Sequence, residues 1–274
     1  MIPAMFAYRE AETVPHAIEL LGQYGDEAKV LAGGQSLLPI MKLRLAAPAV
    51  IVDLNVLGEL AYVRDADDVV AIGALTRHVD LEMSSLLGRD VPLLRHAASV
   101  VGDCQIRHRG TIGGTVAHGD PAADIPAALM ALRATVVVEG PGGRREISID
   151  DFYRGRMETA LSPDELVVEV RVPKTGTQPW GLQKFRRRSI DWAIVGVAYQ
   201  GGEQPGIGLV NMAPTTLRAV SAERALREHA DAAAVCGLVD AEAAPTDDAS
   251  ATPGYRRHLA RVLLGRALTG AASN

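Results

Sequence analysis

The sequence predicts an α+β protein in two domains, divided near Pro173-Lys174-Thr175-Gly176. Up to that break, helical apolar spacing alternates with short apolar runs, as in helices packed on buried sheet. Beyond it, strand-like runs come first and helical ones afterwards, an order that suits a small α+β unit. The composition agrees: 48% of residues are hydrophobic and only 4% aromatic, so the core is aliphatic.

In chain order, residues 14–24 (VPHAIELLGQY) place Ala17, Leu20, Leu21 and Tyr24 at helical intervals, and residues 29–32 run apolar into a glycine pair. Residues 37–43 (LLPIMKL) form a short helix or turn with its proline in the first turn, where no intrahelical N–H is lost; residues 50–53 (VIVD) form a buried strand. A second block begins near Leu57, with a strand at 69–72, amphipathic helices at 80–87 and 93–101, and a strand at 135–139. Between the last helix and that strand lies the most glycine-marked loop of the chain. Residues 165–172 (ELVVEVRV) alternate charged and apolar side chains in their second half, as a half-exposed strand does. Strands at 181–186, 193–199 and 207–211 and helices at 219–229 and 255–268 follow, with residues 241–253 as a surface loop.

Several function classes are excluded. A net charge of −5 and a pI near 5.8 leave no electrostatic footprint for nucleic acid, and so few aromatics offer no stacking surface for bases. The run Lys184-Phe185-Arg186-Arg187-Arg188 reads as a solvated strand edge or as the contact for an anionic partner or cofactor phosphate. Residues 1–10 lack a basic n-region and an apolar h-region, and no stretch approaches the ~18 apolar residues of a membrane span. The expectation is a cytoplasmic protein. Cys104 and Cys236 lie far apart in no paired motif, so any iron–sulfur cluster must come from another polypeptide.

Two glycine turns carry the chemistry. The first, Ala32-Gly33-Gly34-Gln35-Ser36, stands between a strand and a short helical turn. Its glycines permit positive φ and bring N–H groups close to an anion, while Ser36 adds a hydroxyl or caps the next turn. The second, Gly110-Thr111-Ile112-Gly113-Gly114-Thr115, is read as ending an extended segment, and a helix begins near Asp124. Neither fits G-x-G-x-x-G or the P-loop pattern. Each alone is an ordinary tight turn; together they suit a dinucleotide pyrophosphate, whose two negative groups need several donors.

The stretches AGGQSLLPIMKLRLAAP (32–48), QIRHRGTIGG (105–114) and GDPAADIPA (119–127) resemble the FAD-binding medium subunit of the molybdenum hydroxylases, the carbon monoxide dehydrogenase and xanthine dehydrogenase family. The likeness continues through Asp151-Phe152-Tyr153, Pro163-Asp164-Glu165-Leu166 and Tyr255-Arg256-Arg257, covering essentially residues 2–270. It implies an FAD-binding fold of the vanillyl-alcohol-oxidase (PCMH) type, with two α/β subdomains over about 1–56 and 57–173. A C-terminal α+β domain of the carbon monoxide dehydrogenase flavoprotein type then covers 174–274.

By the same resemblance, Ala32, Gly33, Gly34, Gln35, Ser36 and Leu37 hold the FAD with Gly110, Thr111, Ile112, Gly113, Gly114 and Thr115. Thr76, Asp124, Val167 and Lys184 complete the cofactor set, with Lys184 beside the isoalloxazine, where it helps set the flavin potential. From the residues alone, Asp124 is equally the N-cap of its helix and Lys184 an exposed strand residue. Two positions depart from the pattern. Thr115 replaces the usual Asn, and Trp192 stands where relatives place a residue against the flavin ring, either covering that ring or belonging to the core. The resemblance implies partners: a small [2Fe–2S] subunit, a large molybdopterin subunit and an electron acceptor such as quinone, NAD or oxygen. A free-standing FAD dehydrogenase or oxidase is the alternative, and a binding protein without cofactor is disfavoured by the intact glycine turns.

Overall fold

The computed structural model describes residues 2–271. The chain begins with strand β1 (Ala7–Glu10), helix α1 (Val14–Tyr24), β2 (Ala28–Leu31), α2 (Leu37–Lys42) and β3 (Val50–Asp53). These strands form a parallel sheet in the order β1-β3-β2, with Tyr8 opposite Ile51 and Val30 opposite Val52. The Thr13 hydroxyl caps α1 by accepting from the His16 N–H at 3.2 Å, and Val14, Ala17, Ile18, Leu20 and Leu21 are its buried face.

Strands β4 (Val63–Ala66) and β5 (Val69–Gly73) lead into six helices. These are α3 (His78–Met83), α4 (Ser85–Asp90), α5 (Pro92–Ser99), α6 (Cys104–Arg109), α7 (Ile112–His118) and α8 (Asp124–Ala131). Then come β6 (Thr135–Gly140), β7 (Gly143–Ser148), α9 (Ile149–Phe152), the small hairpin β8 (Tyr153–Gly155) and β9 (Glu158–Thr159), and β10 (Leu166–Pro173). The antiparallel sheet has the order β4-β5-β10-β6-β7. Its two faces are both covered: Val136, Val138, Val170 and Val172 point into the core under the helices, and Val137, Leu166 and Val168 into the core shared with α1.

Three readings of this block are corrected. The segment before Gly110 is helix α6, not an extended run; the Asp103 carboxylate accepts from the Ile106 N–H at 2.9 Å and starts it. The helix predicted at 80–87 is two, broken at Ser84, whose hydroxyl caps the second by accepting from Leu87 at 3.2 Å. Strand β10 is central rather than half-exposed. Its charged residues are satisfied laterally: Glu169 accepts from Tyr62 Oη and from Arg171 Nε, both at 2.6 Å.

The rest of the chain holds a four-stranded antiparallel sheet, β11 (Trp180–Phe185), β12 (Val195–Gln200), β13 (Gly206–Val210) and β14 (Leu217–Arg218), in that order. It is covered by α10 (Val220–Arg227), α11 (Ala232–Leu238) and α12 (Pro253–Ala271). Of these, α11 is absent from the sequence reading, because AAAVCGL offers too short a run to show a period.

Helix α8 joins this sheet to the preceding block. Its sequence, DIPAALMA, has no polar face beyond Asp124, and every residue is buried. On one side it packs on α5, and on the other its backbone lies directly on β13. A Cβ at Gly208 would stand 1.9 Å from the Ala127 carbonyl oxygen, and one at Gly206 1.9 Å from that of Ala131. Beyond the end of α8, Arg133 reaches the fully buried Glu223 at 3.3 Å; Glu223 also accepts from the Ile207 N–H at 2.8 Å and from Arg218 Nε at 2.9 Å. That buried anion is fully partnered, as its burial requires.

Gly208→Ala should therefore lower stability by about 3 kcal/mol or more, since neither backbone can retreat without opening the core. Denaturant unfolding of the variant against the parent measures this; a loss under 1 kcal/mol would show that the helix is free to shift.

Candidate cofactor site

The two glycine turns lie against each other. The first leaves β2, and Asn55, just past β3, donates to the Ala32 carbonyl at 2.9 Å while its own N–H donates to Asp53 at 2.8 Å. Arg77 donates to Asn55 Oδ1 at 2.7 Å and also to the carbonyl of Arg109, which precedes the second turn. A Cβ at Gly33 would sit 2.4 Å from that Arg109 oxygen and 2.8 Å from Gly110 Cα, so only glycine lets the turns meet.

What each turn presents is different. Gly34 has φ +72°, and the N–H groups of Gly34, Gln35, Ser36 and Leu37 have no hydrogen-bond partner among the described residues. Gln35 instead turns its side-chain amide back to the Gly33 carbonyl at 3.3 Å. Four successive free N–H groups around a left-handed glycine make an anion cradle. In the second turn the N–H groups are spent inside the fold: Ile112 donates to Thr76 O at 3.1 Å, Gly113 to Ala74 O at 2.9 Å, Gly114 to the Thr111 hydroxyl at 3.2 Å and Thr115 to Thr111 O at 3.0 Å. Of the backbone N–H groups and hydroxyls expected to serve a cofactor here, the N–H groups of Ile112 to Thr115 are thus used within the fold, and the half-buried Thr115 hydroxyl is left as a donor.

Thr76 supports this turn from below. Its buried hydroxyl accepts from the Tyr62 N–H at 3.0 Å and donates to the Tyr62 carbonyl at 2.8 Å, so its side chain is fully used within the protein. Val167 is buried at the bulge of β10, the strand on which α7 packs. Against the second turn stands His78, whose Nε2 lies 3.1 Å from Thr115 Oγ1. Burial, with Arg77 and Arg107 nearby, holds the imidazole down to about 4, so it is neutral at ordinary pH.

Asp124 and Lys184 form one unit. Lys184 Nζ, on β11, is 2.7 Å from Asp124 Oδ2 and 3.3 Å from the Val100 carbonyl, and both side chains are only 6% exposed. Asp124 is not the N-cap of α8: Ala123 holds that position without a side-chain bond. Burial pushes the Asp124 carboxyl up, and Lys184, then Arg186, oppose that rise. Lys184 is thus not an exposed strand residue. The basic run splits, with Lys184, Phe185 and Arg186 partly covered and Arg187 and Arg188 in solvent.

Trp192 is 58% exposed, which removes the core reading. With Arg187, Arg188, Asp191, Ile194 and Ser250 it lines a surface cavity of about 470 Å³ that includes neither glycine turn. Asn55, Arg77 and His78 are site residues that sequence reasoning missed. The turn signal Asp53-Leu54-Asn55 after a buried strand was legible, but nothing in spacing marks Arg77 or His78. Among the described residues no cluster of three or more His, Cys, Asp or Glu side chains could hold a metal ion.

Residues 4–175 match the family described as the FAD binding domain in molybdopterin dehydrogenase, and residues 180–271 match the CO dehydrogenase flavoprotein C-terminal domain. The chain belongs to this family of FAD-dependent oxidoreductase subunits, and its fold is the FAD-binding PCMH type followed by that C-terminal domain. It is 40% identical to the carbon monoxide dehydrogenase medium chain of Hydrogenophaga pseudoflava, with 99% of this chain and 98% of that one covered. It is 38% identical to the 6-hydroxypseudooxynicotine dehydrogenase complex subunit alpha of Paenarthrobacter nicotinovorans, covering 99% and 96%. The solved carbon monoxide dehydrogenase from Hydrogenophaga pseudoflava superposes with a TM-score of 0.96 at 41% identity, over 100% of this chain and 99% of that one.

Removing Lys184 strands a buried carboxylate. Lys184→Met should cost about 3–5 kcal/mol at neutral pH. Without its partner, Asp124 titrates above its unfolded value, so stability is lost as pH rises and regained as it falls. Unfolding at pH 7 and pH 5 should show the variant's deficit smaller at pH 5; an equal deficit would contradict the pairing.

Proposed function

We propose that this chain is the electron-transferring flavoprotein of a molybdenum hydroxylase complex, with FAD held across the two glycine turns. The observation that carries this reading is the row of free N–H groups at Gly34, Gln35, Ser36 and Leu37, fixed against the second turn by Gly33 and Gly110. A pyrophosphate needs several convergent donors. The first turn supplies backbone donors, and Thr115 supplies a hydroxyl from the second. An extended dinucleotide suits the chain better than a single phosphate, because a second charged site, Lys184 bonded to Asp124 and to the Val100 carbonyl, is built from other elements than the cradle.

When bound, FAD would supply the redox chemistry between a small [2Fe–2S] subunit, itself served by a large molybdopterin subunit, and an acceptor such as a quinone, NAD or oxygen. The protein's part would be to hold the pyrophosphate at the cradle and to keep the Lys184–Asp124 pair in a dry site, where its dipole is little screened. Relatives named as a medium chain and as a complex subunit, each covered over 96% or more of its length, support this assembly. We take the chain to divide near 173–176, and to work in the cytoplasm, in keeping with its two free cysteines. No helix among the described residues is long and apolar enough to cross a membrane.

A self-sufficient flavoenzyme is the second reading, favoured by one feature: exposed Trp192 over its own cavity. Iron and molybdenum per flavin, measured on protein purified gently from its native source, separate the two. Both metals in stoichiometric amounts are expected; FAD without either metal would contradict the complex and favour the second reading.

A further inference from the structure

His78, the first residue of α3, is only 2% exposed and lies against the second glycine turn, where its backbone N–H donates to the Gly110 carbonyl at 3.0 Å. Its ring has one polar contact, Nε2 to Thr115 Oγ1 at 3.1 Å; Nδ1 is buried without a hydrogen-bond partner. Gly110 leaves the room for this contact, since a Cβ there would stand 2.9 Å from Nε2.

The unpartnered Nδ1 decides which way the contact runs. A neutral imidazole carries one N–H. Nδ1 is bare in either tautomer, but an orphaned buried N–H is rarer than an unfilled acceptor, so the proton sits on Nε2 and the ring donates to Thr115 Oγ1. The ring is neutral, held so by burial and by the cations Arg77 and Arg107, so the choice is between tautomers alone.

Thr115 Oγ1 then accepts from inside, and its own hydrogen has no acceptor among the described residues. Its helix neighbour Gly114 is the point at which this turn comes within 3.9 Å of Ala32 of the first turn, measured from the Cβ position. The Thr115 hydroxyl hydrogen is thus left free for an external acceptor.

We propose that His78 is a positioning residue for the cofactor: its Nε2–H fixes Thr115 as a hydrogen-bond donor, and the acceptor is a pyrophosphate oxygen of FAD. A longer Asn side chain presents an N–H without help; Thr can donate or accept, and the buried histidine removes the second option. This rests on the reading that the glycine turns hold FAD.

The test is FAD binding to the apo form of the full chain, followed by flavin fluorescence, for the parent, Thr115→Val, His78→Leu, His78→Gln and the double variant His78→Leu/Thr115→Val. Thr115→Val and His78→Leu should each weaken FAD by about tenfold, the double variant no more than either alone, and His78→Gln, whose amide N–H replaces Nε2–H, by no more than about threefold. An additive double variant, or equal losses for Gln and Leu, would overturn the proposal by showing a role in packing alone. Should the Leu variants fail to fold, ¹⁵N NMR of the parent's His78 decides: a proton on Nε2 supports the proposal and one on Nδ1 overturns it. Failure of the parent chain to bind FAD would instead refute the assignment of the cradle.

Discussion

Helix α8 has no solvent face, and that constrains the rest of the molecule. An all-apolar helix needs cover on every side, and the block of helices on the five-stranded sheet supplies only part of it. The four-stranded sheet supplies the remainder, at backbone contact, through Gly206 and Gly208. Because α8 begins with Asp124 and faces β11 across the same junction, this packing also sets the buried ion pair with Lys184. The pair contributes position more than stability, since desolvating both charges offsets most of their attraction. Arg133, Glu223 and Arg218 close the other end of the junction by the same means.

The glycine turns depend on a second constraint, the close approach of two backbones. Gly33 against Gly110 lets a loop from the parallel sheet touch a loop from the helical block, and Asn55 and Arg77 tie them by hydrogen bonds. One turn keeps its N–H groups free and the other uses them to hold itself together. The division is physical: α7 needs its first-turn donors satisfied from Thr76, Ala74 and Thr111, whereas the turn before α2 has no such neighbours.

Much of this was legible from residue patterns. The period of 14–24, the apolar runs at 50–53 and 69–72 and the strands-then-helices order after Gly176 follow from spacing alone, as does the start of a helix at Asp124. The errors share a cause. Helix α6 is polar, short and started by a cap rather than by a hydrophobic stripe, and β10 conceals its centrality because its charges pair sideways. The Lys184–Asp124 pair joins residues sixty positions apart, and no local pattern encodes such a meeting. His78 is likewise invisible in sequence, since its meaning comes from Gly110 and Thr115 closing around it.

On the function proposed above, close contact of the two turns creates the FAD pyrophosphate site. This is tested most directly by the FAD dissociation constant of Gly33→Ala, with the fold checked by far-UV circular dichroism. The Cβ must push against the Arg109 carbonyl and Gly110, so the chain should stay folded with its FAD affinity weakened about a hundredfold or more. A folded variant that binds FAD as tightly as the parent would contradict it.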